Sequence, residues 1–401
     1  MKRRLLPILM TLVLVCALPI WAAFVTSGDV TNPLVSTADA TSPPEPAEVS
    51  TATDLQNSIA DGKSVKLTDN ITITSTLEIS SSLTLDLNGY VLKMTGSGSV
   101  LKVSDRATLT IQDSSAEGTG TITGGNAVDG GGVYIDNNAT LKMTGGCITD
   151  CHASYGGGIF SYGNLYMSGT AKIEKCTLNG GSDDAIWNAE GVIYADGGTV
   201  DGTVNNQGTI TRSNGTNANA ATVFNKTVYM RGSKYTKRCI EAGTYNGTVE
   251  NTGSIIGGTF YGTVRNQKNS MGLNITGSVT GGTFAVRFDT GDGTKPEPTL
   301  VPWNGKVLRP TSDPEKSGHT FIDWYLDDAP YDFDTPVNAP LTLTAKWEKN
   351  PSSGGYYYYP TTDTKTDDTK GSPKTADPGV ALYAALSLLS LTGLTCATKK
   401  R

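Results

Sequence analysis

Ala107-Thr-Leu-Thr-Ile111, Ala139-Thr-Leu-Lys-Met143 and Gly163-Asn-Leu-Tyr-Met167 are one segment written three times. Apolar and polar residues alternate within each, the period of a strand with one buried face. A second segment, Gly130-Gly-Gly-Val-Tyr134, returns further along as Gly156-Gly-Gly-Ile-Phe160. A third, Gly197-Gly-Thr-Val-Asp-Gly-Thr-Val-Asn-Asn206, is echoed from Ala242 and again from Gly257, a much shorter step than the others. Working outward, the same alternation covers Val65/Leu67, Ile71/Ile73, Leu77/Ile79, Leu83/Leu85/Leu87 and Val103. Apart from Thr51 to Ala60, which has the rhythm of a helix able to cap one end, no stretch from Thr51 to Thr283 sustains a helical period. Short strands recurring at a repeat of roughly 20–30 residues mean a solenoid.

A parallel β-helix fits these repeats best. Strands of three to five residues, glycine corners and Asn or Thr at recurring turn positions suit coils stacked about 4.8 Å apart. A β-sandwich or propeller leaves the Leu/Ile/Met ladders unexplained. The run Leu83-Thr-Leu-Asp-Leu-Asn-Gly-Tyr90 resembles the opening coil of right-handed β-helix surface proteins of the pectate-lyase-like type. At about 24 residues per coil, residues 51–283 make nine or ten coils and a rod of roughly 45 Å.

The character changes at Phe284. Val286-Arg-Phe-Asp-Thr-Gly-Asp-Gly, Pro310-Thr-Ser-Asp-Pro-Glu-Lys-Ser-Gly-His-Thr-Phe-Ile-Asp-Trp-Tyr325, Tyr331-Asp-Phe-Asp-Thr-Pro-Val337 and Leu341-Thr-Leu-Thr-Ala-Lys-Trp347 follow in order. Residues 284–349 resemble the internalin-type B repeat (the Listeria–Bacteroides repeat), which implies a small β-grasp-like module found on bacterial surface proteins. His319 stands where that pattern carries Tyr, which suggests packing. Phe288, Phe321, Trp324, Tyr325, Phe333 and Trp347 are aromatic enough to fill a small core. The fold class expected is therefore all-β: a right-handed parallel β-helix followed by a β-grasp-like repeat module.

The two ends read as addresses. Lys2, Arg3 and Arg4 precede an apolar run from Leu5 to Leu18 and the small pair Ala22–Ala23, so residues 1–27 read as a secretory signal peptide, with an uncleaved anchor as the alternative. Residues 28–50 and 350–371 are Pro-, Thr-, Ser- and Gly-rich linkers, the second carrying Tyr356 to Tyr359. Val380 to Thr398 form an uncharged run, as a helix roughly 28 Å long, followed by Lys399, Lys400 and Arg401. Immediately before the span stand Ser372, Pro373, Lys374, Thr375 and Ala376. Together, residues 372–401 resemble the sorting signal of Gram-positive cell-wall proteins, with Ser and Ala where the usual pattern has Leu and Gly. The resemblance implies processing partners, a sortase and a cell-wall precursor. The sortase cysteine would attack the Thr375 carbonyl, and a precursor amine would resolve the thioacyl intermediate. A plain membrane anchor through 380–398 is the alternative. Either way the bulk of the chain faces outward, secreted and held at the wall or membrane.

Composition narrows the chemistry. Charged residues are 17% and the formal net charge is -6, which argues against nucleic acid as a partner. His152 and His319 are the only histidines, so multi-His metal sites are excluded. Cys147, Cys151, His152, Cys176 and Cys239 invite a zinc reading, but in a strand residues 151 and 152 point to opposite faces. Ile148-Thr-Asp-Cys151 aligns instead with Ile173-Glu-Lys-Cys176, one plausible coil later. Stacked in that way, Cys151 and Cys176 would lie within disulfide range, as a bridge or as a buried thiol pair. A lyase or glycosidase needs converging acids with a basic partner. Here Asp105, Asp113, Asp129, Asp136, Asp150 and Asp196 fall mostly at turns, Arg106 and Arg212 are isolated, and Asp183-Asp184 is the one adjacent pair. No catalytic, cofactor or metal residues are assigned. The expectation is a non-catalytic adhesin or structural wall protein whose partner is a glycan or host protein, with a carbohydrate-active enzyme as runner-up. A rod held by its C-terminus presents its first coils, between about Leu77 and Tyr194, farthest from the wall.

Overall fold

The computed structural model describes residues 44–213, 221–231, 238–267, 277–292, 294 and 296–351. Residues 1–27, read as a signal peptide, and residues 372–376 and 380–398, read as a sorting signal and a span, lie outside the described residues. Among those described, no helix is long and apolar enough to cross a membrane.

Within the described residues, three long parallel sheets wrap one core. Sheet I holds eleven strands, from Ala47–Val49 through Thr108–Gln112, Thr140–Met143 and Asn164–Met167 to Ser278–Val279. Sheet II holds nine, from Leu77–Ile79 to Val264–Asn266, and sheet III starts at Ile71–Ile73. The chain visits I, III and II in turn, each strand pairing in parallel with its counterpart one coil later, and parallel crossovers of this kind take the right hand. This is the parallel β-helix expected: residues 51–283 supply ten of the eleven described strands of sheet I, within the nine or ten coils predicted. The eleventh, Ala47–Val49, corrects the end of the stretch 28–50 read as a linker, because it pairs in parallel with Val65–Leu67. Register confirms the repeats: Leu109 pairs with Leu141 and Leu141 with Leu165, while Val133 pairs with Ile159. The short echo from Ala242 to Gly257 is a complete coil, since Thr244 pairs with Thr259. Between sheets III and II, three coils add a short fourth sheet of Asn126–Asp129, His152–Tyr155 and Thr177–Leu178.

Interior columns explain why the coils stay stacked. Leu83, Leu109, Leu141, Leu165, Ile193, Ile210, Ile240 and Ile255 form one buried line in sheet I. In sheet III the aliphatic column Leu92, Ile122, Ile148, Ile173 and Val200 gives way to Phe224, Tyr245, Phe260 and Phe284. These rings stack with centroids 5.0, 4.9 and 5.4 Å apart. Shorter coils supply fewer interior residues, and large rings fill the space.

Sheet II changes in the same region, from Ile79, Val103 and Ile135 to an asparagine ladder. Asn188 Nδ2 donates to Asn206 Oδ1 at 2.7 Å, and Asn251 Nδ2 donates to Asn266 Oδ1 at 2.8 Å. Asn251 Oδ1 in turn accepts from the Gly253 N–H. Met230 interrupts the ladder between Asn206 and Asn251. Burial of the amides is tolerated because each side-chain N–H₂ donates, that of Asn188 also to the Gly191 carbonyl oxygen and that of Asn206 to the Gly208 carbonyl oxygen and the Met230 sulfur.

The open N-terminal end is covered by the helix Ala52–Ala60, capped by Thr51, whose Oγ1 accepts the Asp54 N–H at 3.1 Å, with Leu55 and Ile59 buried. At the other end Thr283–Asp289 belongs to both parts. Its start pairs with Thr259–Phe260 of the solenoid, its end runs parallel to Leu341–Lys349, and Thr299–Pro302 lies antiparallel to it. The module's first and last strands are thus central neighbours, with His319–Leu326 and Ala329–Pro330 beyond. Trp324 is its buried centre, packed edge-to-face by Phe288 and Phe321. His319 is half-exposed, its Nδ1 2.9 Å from the Ser317 carbonyl oxygen.

Candidate binding surface

The adjacent acids do not act together. Asp183 is half-exposed and pairs with Lys226 at 2.7 Å. Asp184 is fully buried: its Oδ2 accepts the Gly156 N–H at 2.7 Å and its Oδ1 accepts from Asn205 Nδ2 at 2.9 Å. One carboxylate is a surface ion pair and the other ties three coils together. Other acids serve corners as well. Asp113 accepts from the Ser115 hydroxyl and from the N–H groups of Gly120, Ser115 and Gly89, and although burial pushes its carboxyl up, these bonds hold it below the ordinary range. Asp105 and Asp150 occupy turns with φ of 54° and 51°. No group of three or more His, Cys, Asp or Glu among the described residues is arranged to hold a metal.

Asp184 carries a testable consequence. Burial pushes its carboxyl up to about 6 from an ordinary 3.8, against the bonds from Gly156 and Asn205 and the charge of Arg231. The folded state therefore holds this proton more tightly than the unfolded chain. Its contribution to stability is complete below the unfolded value and is lost as pH rises through the folded one. Asp184→Asn is expected to flatten the fall in melting temperature between about pH 4 and 6, an effect on the order of 2–3 kcal/mol. The new amide can keep both bonds, because Asn205 Oδ1 has no partner and turns toward it. A melting curve against pH that matches wild type would refute this.

The cysteines follow the coil register. Ile148 pairs with Ile173, which sets Cys151 over Cys176, both buried. The neighbouring Cys151 sulfur, then burial, push the Cys176 thiol up. His152 points outward, its Nδ1 2.7 Å from Thr177 Oγ1, so the two faces separate it from Cys151.

What the fold does assemble is a surface. The outward column of sheet II runs Glu78, Lys102, Tyr134, Phe160 and Trp187. Tyr134 and Phe160 lie parallel, at an interplanar angle of 1° and 5.7 Å between centroids. Tyr162 meets Phe160 edge-on at 5.1 Å, and Tyr155 meets Trp187 edge-on at 4.9 Å. Tyr155 and Tyr162 are 46% and 40% exposed and Tyr134 and Trp187 are half-buried, whereas Phe160, at 5%, is covered by its neighbours. The two triglycine corners make this possible. A Cβ on Gly131 would lie 2.4 Å from the His152 carbonyl oxygen, and one on Gly157 would lie 2.4 Å from that of Thr177. Only glycine lets the coils close there, bringing the Tyr155 and Phe160 columns onto one shelf.

The shelf adjoins an open groove of about 850 Å³ over the preceding coils, bordered by Glu78, Lys102, Val128, Asp129, Tyr134 and Asp136. Asp129 pairs with Tyr155 in the fourth sheet. Lys102 Nζ is 3.2 Å from Glu78 Oε2. Burial raises the Asp129 carboxyl, and burial, Asp136, Tyr162 and Asp129 together raise the Tyr134 hydroxyl.

The Listeria-Bacteroides repeat domain family matches residues 284–346. That repeat is typical of extracellular surface proteins, and the match spans one module of the chain. No curated protein and no solved structure matches the chain.

Proposed function

We propose that this is a secreted, wall-attached surface protein that binds rather than cleaves, using the flank of its β-helix as the contact face and the repeat module and following linker as its connection to the cell. The observation that carries the reading is the open aromatic shelf on sheet II within the first coils. Broad shallow contact with aromatic anchors is what adhesion needs. Bond cleavage needs acid and base groups within reach of one substrate atom, and Asp183 and Asp184 are engaged elsewhere. The repeat supports surface placement. Attachment through Thr375 follows from the resemblance of residues 372–401 to a sorting signal.

Fractionation with an adherence assay tests it. Cells producing the wild type should retain the chain in detergent-extracted wall. Thr375→Ala should release it to detergent and lower adherence as far as deleting the gene does. Wild-type protein that detergent alone removes would favour a plain membrane anchor, and adherence equal with and without the chain would remove the adhesive role.

A further inference from the structure

We infer that the shelf formed by Tyr134, Tyr155, Phe160, Tyr162 and Trp187 binds a neutral polysaccharide, laid along the solenoid axis; the inference rests on the surface-binding reading above. Three observations lead to it.

The first is repetition. Tyr134, Phe160 and Trp187 are successive members of one ladder, so rings recur at the spacing of the coils, about 4.8 Å. Phe160 is the buried ring of this ladder, and the ring surface left open by Tyr134, Trp187, Tyr155 and Tyr162 suits a polymer whose units each present an apolar patch, as the C–H face of a pyranose does.

The second is the polar border. Asp129 and Tyr155 occupy one flanking column. Asp136 and Tyr162 each follow the strand that carries Tyr134 or Phe160, on the other side of the rings. Carboxylates accept hydrogen bonds from hydroxyls, and phenol groups both donate and accept, which is the set a polyhydroxylated chain requires on both sides of a stacking floor.

The third is charge. Among the described residues that line the groove, Glu78, Asp129 and Asp136 are acidic, whereas Lys102 is the one cation and is paired with Glu78. A uronate, sulfate or phosphate polymer would meet net repulsion there, so the complementary glycan carries no anionic groups.

The test uses the purified full-length chain in detergent. Affinity electrophoresis would compare soluble β-glucan, xylan and mannan with polygalacturonate, heparin and a basic proline-rich peptide. Tyr155→Ala and Tyr162→Ala remove exposed rings, so both should keep the wild-type melting temperature, and Trp187→Ala removes a ladder ring. Tyr166→Ala is the control, taken from the Tyr166–Tyr194 stack of sheet I, where the rings lie 4.0 Å apart. Binding to at least one neutral polymer is expected, little changed by salt. Tyr155→Ala or Trp187→Ala should weaken it about tenfold or more, and Tyr166→Ala should leave it unchanged.

Preference for an anionic glycan or the basic peptide overturns the inference. So does binding to none of the neutral polymers, or binding that all the variants leave equal. If producing cells still adhere in any of those cases, the surface-binding reading survives its ligand. New reducing ends released from a bound polymer would instead overturn the non-catalytic reading itself.

Discussion

Leu109→Asp is expected to unfold the β-helix outright, with no folded baseline left in a thermal or urea melt followed by circular dichroism. Leu109 is fully buried and stands between Leu83 and Leu141 in the sheet I column. A carboxylate placed there has no partner on either coil, and burying it unpaired costs several kcal/mol. The whole stability of an ordinary domain is only about 5–15 kcal/mol. In a stacked architecture each coil touches only its neighbours, so the damage also cuts the stack. The coils on each side then expose an interior face that, unlike the N-terminal end, has no helix to cover it. Two controls fix the interpretation. Leu109→Ala leaves a cavity and should cost about 2–5 kcal/mol without abolishing folding. Thr110→Asp changes the adjacent outward residue, whose partner on the next coil is Lys142, and should stay within about 0.5 kcal/mol. An unchanged melt for Leu109→Asp would remove that residue from the interior and with it the coil assignment.

The solenoid was legible because its signal is periodic. Leu109, Leu141 and Leu165 each sit in the same short alternating context, and a parallel ladder places equivalent positions on top of one another. The same logic brought Cys151 over Cys176. The shelf was harder to see, although its parts lie in repeats that are plain in the sequence. Tyr134 and Phe160 end the two triglycine segments, but Trp187 belongs to a coil without that motif, and only the register joins it to them. Tyr155 and Asp129 reach the surface through a fourth sheet that spans three of the described coils and has no recurring signature. Asp183-Asp184 shows the converse limit. Two adjacent acids look alike in sequence, yet one faces Lys226 in solvent and the other closes a buried contact between Gly156 and Asn205. Residue type does not encode which side of the wall a side chain faces at an irregular corner.

Phe260→Ala is expected to destabilise both the last coils and the repeat module, by about 3–5 kcal/mol. Phe260 is fully buried between Tyr245 and Phe284, with centroids 4.9 and 5.4 Å away. Phe284 lies in Thr283–Asp289, the strand that pairs with Thr259–Phe260 on one side and Leu341–Lys349 on the other. Removing the ring leaves a void at the point where the solenoid interior hands over to the module, and packing at this density does not refill it. Phe260→Leu keeps most of the volume and should lose less. The measurement is hydrogen exchange by peptide, comparing 341–349 of the module with 159–167 of the distant coils. Coupling through the shared strand predicts faster exchange in 341–349 and little change in 159–167, because coils several rungs away share no contact with the cavity. If 341–349 exchanged at the wild-type rate while the coils around Phe260 opened, the module would be standing on its own aromatic core. The strand Thr283–Asp289 would then join two independently stable parts rather than transmit stability between them.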